Sequence, residues 1–154
     1  MARDLSEAAA ILNEHGLDLT KILQDTHAET ALRLGTLLDE ILETILKTHM
    51  VKSGKVANEK TFQKGGKLAN LADKIKKARD LELLDETAFK DADLLREIRN
   101  EFGHLKTKVH FDSPEIVKWA KQLSTYEAAE TNQAAILAAM TKVVDCLSAA
   151  VKRI

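Results

Sequence analysis

The sequence predicts an all-α fold: a single-domain helical bundle of about six or seven helices, with long helices near both ends. Three observations carry that expectation. The 154 residues include one proline and six glycines, so few breakers interrupt the chain. The apolar share, 45%, comes mostly from Ala, Leu, Ile and Val, and the 31% of charged residues is rich in Glu and Lys; Ala, Leu, Glu and Lys are strong helix formers. Apolar residues recur at helical spacing along one face, without the strict alternation of a half-buried strand. The length fits one domain spanning 1–154 and suffices for a core without disulfide or metal staples.

The elements follow in order. Leu5, Ala8, Ile11 and Leu12 share a face over residues 5–13, with Ser6 as cap and His15-Gly16 as stop, and a second short helical piece runs from Leu17 to Leu23. Asp25 or Thr26 opens a long helix to about Met50. Its stripe is Ala31, Leu34, Leu37, Leu38, Ile41, Leu42, Ile45 and Leu46, opposite Glu29, Arg33, Asp39, Glu40 and Glu43. Leu34-Gly35-Thr36-Leu37 reads as a small-residue packing contact inside that helix, not as a helix-turn-helix. Residues 52–66 are rich in Lys and Gly and poor in apolar residues, so a long basic loop, mobile in part, is expected, with Gly65-Gly66 as a hinge.

Helix resumes at about Leu68 and runs to Leu81, with Leu68, Leu71, Ala72, Ile75 and Ala78 on one side; Leu83 and Leu84 pack a tight connection. The next helix runs from about Glu86 to Leu105. Ser113-Pro114-Glu115 combines a cap, a first-turn proline and an acid favoured by the helix dipole, and starts a helix carrying Ile116, Val117, Trp119, Ala120 and Leu123. The last helix spans about Tyr126 to Val151, with Ala135, Ile136, Ala139, Met140, Val143, Val144, Leu147 and Val151 apolar. The two long helices are expected to pack together as the spine.

Charge and cysteine usage narrow the function classes. The net charge of −1 exerts no global pull toward nucleic acid, but its distribution is uneven. Residues 1–50 carry four Lys/Arg against nine Asp/Glu, residues 51–80 nine against three, and residues 81–154 ten against twelve. The middle segment is a local basic patch, able to give salt-sensitive contacts to DNA or RNA phosphates but no sequence specificity. Cys146, the only cysteine, falls in an apolar helical pattern and reads as a buried structural thiol in a reducing compartment. The first residues show no signal-peptide pattern, and the runs of apolar residues are short for a membrane span, so a cytoplasmic location without a membrane partner is expected.

The most informative segment is Arg99-Asn100-Glu101-Phe102-Gly103-His104. At 100° per residue, Leu94, Leu95, Ile98, Phe102 and Leu105 are assigned to the core arc, and Arg96, Arg99, Asn100, Gly103 and His104 to the other side. Arginine binds phosphate or carboxylate by bidentate pairs, and histidine moves protons near neutral pH. In an RNA-cleaving site His104 would move a proton and Arg99 would stabilise the charged phosphorane. The same pattern also describes a solvated face, with Arg99 bridging Asp91, Glu101 or an acid on another helix and His104 capping or packing near the helix end. The five histidines form no metal motif, no Gly-rich phosphate loop is present, and no metal or cofactor is expected.

Four segments together resemble the mannitol operon repressor family over roughly residues 26–123. They are Leu37-Leu38-Asp39-Glu40-Ile41-Leu42-Glu43; Gly66-Lys67-Leu68 with Lys74-Ile75, Ala78 and Leu81 to Leu84; Asp93 to His104; and Phe111-Asp112-Ser113-Pro114-Glu115-Ile116. Gly103 departs from the alanine common in that family between Phe and His. The resemblance implies a bacterial transcriptional regulator of helical fold that forms a homodimer and acts through a protein partner. The Arg99-Asn100-x3-His104 spacing also resembles the motif of the HEPN superfamily of helical RNases and nucleotide-binding domains. That resemblance implies a metal-independent endoribonuclease of toxin type with Arg99, Asn100 and His104 as catalytic residues at a dimer cleft. Arg96, Arg99, Asn100 and His104 are the candidate binding residues under either resemblance.

Overall fold

The computed structural model describes residues 27–54, 59–103 and 109–153. Among them are six helices and no strand: α1 (His27–Lys52), α2 (Glu59–Phe62), α3 (Leu71–Asp80), α4 (Glu86–Phe102), α5 (Pro114–Ala120) and α6 (Asn132–Arg153). This is the expected all-α bundle with long helices near both ends. The short helices expected over 5–13 and 17–23 lie outside the described residues, as do His104 and Leu105.

The core follows the apolar periodicity closely on the two long helices. All eight stripe residues of α1, Ala31 to Leu46, are buried. On α6, Ala135, Ile136, Ala139, Met140, Val143, Val144 and Leu147 are buried, with Val151 partly so. Each fully buried Leu, Ile or Val contributes about 1.5–3 kcal/mol of transfer free energy. The spine, however, is not the pair of long helices. α4 packs against α1, α3, α5 and α6, and the long helices touch each other less than either touches α4. The apolar arc of α4, with Ala88, Ala92, Leu95, Ile98 and Phe102, is broad enough to serve several neighbours. Over an 18-residue window α6 has a mean hydropathy of 1.7, which its length and composition would allow in a membrane; half of that window is buried within the bundle.

Boundaries shift where a single side chain decides. α6 begins at Asn132 because Thr131 Oγ1 accepts the Ala134 N–H at 3.0 Å, a cap the apolar pattern from Tyr126 does not show. Ser113 precedes α5 as expected, but its hydroxyl accepts the His110 N–H at 3.0 Å and caps no helical N–H. The basic segment contains α2, which the composition does not predict. Phe62 is buried, and Lys47 of α1 lies 5.1 Å from its ring centroid. Gly66 is no simple hinge. A Cβ there would collide with the carbonyl oxygens of Lys60 and Thr61, so the missing side chain lets the chain fold back on α2.

The end of α3 is closed by a paired set of backbone bonds. Glu82 N–H donates to Arg79 O at 2.9 Å and Leu83 N–H to Ala78 O at 2.8 Å, the pattern of a left-handed C-terminal cap. The left-handed residue is Glu82, with φ 61°, where glycine is the usual occupant.

Candidate functional site

The Arg-Asn-Gly edge of α4 sits against α1. Ile98 and Phe102 fix the helix by burial, and Asn100 and Gly103 are exposed, as the sequence implies. Arg99 departs from the expected outward placement. It lies about 40° round the helix from the buried Leu95, inside the core arc. Its aliphatic stem runs across Gly35 of α1. A Cβ at Gly35 would collide with Arg99 Cγ, and would stand 2.8 Å from Cδ and 3.0 Å from Cβ. A long side chain with an apolar stem can occupy such a position while its charged end reaches the surface. Gly35 is therefore the packing contact its sequence context suggests, and its partner is Arg99.

The charged end of Arg99 is incompletely satisfied. Nη1 donates to Asn100 Oδ1 at 3.5 Å, while Nε is buried with no hydrogen-bond partner. Arg99 bridges neither Asp91 nor Glu101. Asp91, almost fully buried, instead accepts the backbone N–H of Ser124 at 2.9 Å and the Ser124 hydroxyl. Arg96 is committed locally. Its Nε donates to Asp93 at 2.9 Å and its Nη2 to Glu97 at 2.8 Å. Burial works against the Arg96 charge, but the bonds and charges of Asp93 and Glu97 outweigh it and hold the guanidinium above its ordinary value. The structure thus brings Arg99 and Asn100 together and draws Arg96 into pairs along its own helix.

Gly103 closes α4 in a right-handed conformation, φ −78° and ψ −9°, so its backbone does not require glycine. The nearest side-chain atom to a Cβ built there is Leu32 Cδ2 at 3.9 Å. Leu32, 37% exposed, extends the same edge onto α1.

Two further charged groups were not legible as partners. Lys74 of α3 is buried and pairs with Asp39 of α1. Its place on the stripe of Leu71, Ile75 and Ala78 is the one sequence signal that points to its burial; Ala72, expected on that stripe, is exposed. The basic patch is also reduced by packing, since Arg79 lies 4.3 Å from the Phe89 ring centroid. Lys64, Lys67 and Lys76 remain exposed. Cys146 is half-buried, and its thiol donates to the Leu83 carbonyl at 3.6 Å. Burial pushes that thiol up, away from reactivity. Among the described residues no cluster of His, Cys, Asp or Glu is placed to hold a metal ion.

Comparison of the chain with family models, with curated proteins and with solved structures gives no match.

Proposed function

We propose that this chain is a bacterial transcriptional regulator that acts in the cytoplasm as a homodimer through protein contacts, as its resemblance to the mannitol operon repressor family implies. The observation that supports this reading most is the seating of Arg99 on Gly35. It makes Arg99 a fixed part of the α1–α4 interface, leaving Leu32, Asn100 and Gly103 as an exposed edge of mixed apolar and polar character. Such an edge suits a protein partner, because small residues allow close approach and the guanidinium supplies a directional donor. Arg96, neutralised by Asp93 and Glu97, adds little attraction for phosphate.

A second reading rests on a different observation. Arg99 Nη1 and Asn100 Oδ1 lie 3.5 Å apart at the exposed end of α4, which keeps together two of the groups that a HEPN-type RNase would use. One set of proteins separates the two: wild type, Leu32→Arg, Arg99→Ala and His104→Ala. For the regulator, Leu32→Arg abolishes dimerisation or capture of a specific partner on size-exclusion chromatography with light scattering, and no variant changes RNA integrity. Metal-independent RNA cleavage by wild type, lost in both Arg99→Ala and His104→Ala, would overturn the regulator reading.

A further inference from the structure

At the other end of α1, the last turns of α1 and α6 and the α3–α4 connection border an open cleft of about 350 Å³. That volume lies within the range of small-molecule sites, roughly 300–1,000 Å³. Its floor is apolar, with Leu83 and Ala150 buried. Its rim is charged: His49 and Lys52 come from α1, Arg153 from α6, and Glu82 from the connection. Among the described residues no ion pair within 4.0 Å joins Glu82 to any of these three basic groups.

Basic residues near helix C-termini are favoured by the helix dipole. That accounts for His49, Lys52 and Arg153 taken singly. It does not account for Glu82, which holds the left-handed position of the α3 cap at φ 61°. A non-glycine residue there is strained, and folding alone would be served better by glycine. The neighbouring cleft, about 510 Å³, shares Arg153 and holds Lys142, but there three carboxylates, Asp85, Asp91 and Asp145, outnumber the two cations. The basic character is therefore local to the smaller cleft.

We propose that this smaller cleft binds a small soluble phosphate ester that carries a hydroxyl group. Arg153, Lys52 and His49 donate to the phosphate oxygens, and the Glu82 carboxylate accepts a hydrogen bond from the hydroxyl. Guanidinium and ammonium donors match a phosphate, while a carboxylate on the same rim repels a bare anion and favours one with a donor beside it. The cleft lies far along α1 from Gly35, so its test is independent of the Arg99 edge.

The test is calorimetric titration of the full chain with glycerol phosphate, inorganic phosphate and sodium chloride at matched ionic strength. Saturable binding of glycerol phosphate, tighter than inorganic phosphate, is expected. A His49→Gln/Arg153→Gln variant should lose about tenfold or more in affinity, equivalent to about 1.4 kcal/mol, with unchanged circular dichroism. Glu82→Gly should remove the preference for the ester. Heats no different from chloride, or affinity for glycerol phosphate unaltered in the double variant, would overturn the proposal. Co-sedimentation with phosphatidic acid vesicles, without a response to glycerol phosphate, would overturn the soluble ligand and assign the site to a lipid headgroup.

Discussion

The two ends of α4 are built on different terms. At the N-terminal end the prominent polar groups are partnered. Asp85 accepts the Ala88 N–H at 2.8 Å as a cap, and the buried Asp91 ties the helix to Ser124. At the C-terminal end Arg99 Nε is buried and unpartnered, Asn100 is exposed, and the terminal glycine adopts a conformation open to other residues. The first end explains how the helix is held in the bundle. The second keeps hydrogen-bonding capacity that the fold itself does not use.

Three substitutions sharpen that contrast, in descending order of effect. Asp91→Ala removes both bonds to Ser124 and leaves a backbone N–H without its acceptor. Hydrogen bonds to charged groups are worth about 1.5–3 kcal/mol each, so a loss of about 3 kcal/mol is expected in urea denaturation. A loss below about 1 kcal/mol would erase the distinction between the ends.

At the other end, Gly35→Ala forces a methyl group into the Arg99 stem and should cost about 1–3 kcal/mol through overpacking. The same change in an Arg99→Ala background should cost far less, giving a coupling energy of about 1 kcal/mol or more in a double-mutant cycle. Additive effects would mean that Arg99 moves freely over Gly35.

The smallest effect has the opposite sign. Glu82→Gly relieves the left-handed glutamate just before α4 and should raise stability by about 1 kcal/mol. An unchanged melting temperature would show that Glu82 carries no conformational cost.

Much of this bundle is legible because apolar side chains repeat at helical spacing. The faces of α1 and α6 are read correctly from Ala31 to Leu46 and from Ala135 to Leu147. Arg99 is misread for a physical reason: charge assigned it outward, while geometry placed it inward, and its long stem reconciles the two. α2 is too short for any periodicity to reveal, and of its residues Phe62 is the buried one, with Glu59 paired to Lys47 of α1. The burial of Lys74 depends on Asp39, 35 residues away, and no local pattern announces such a pair. Of the candidate site, the meeting of Arg99 and Asn100 follows from their adjacency, whereas the role of Gly35 requires the packing of α1 against α4.

The Asp39–Lys74 pair has a consequence for how sequences of this fold can diverge. Removing Asp39 strands the buried ammonium of Lys74 at the α1–α3 contact, a strongly destabilising step, whereas removing Lys74 leaves Asp39 with a solvated carboxylate; replacing both with apolar residues is tolerated far better than losing Asp39 alone. The two positions are therefore expected to covary across relatives, acid with base or apolar with apolar. A lysine at position 74 opposite an apolar residue at 39 should be rare, because that combination leaves the buried ammonium without a partner.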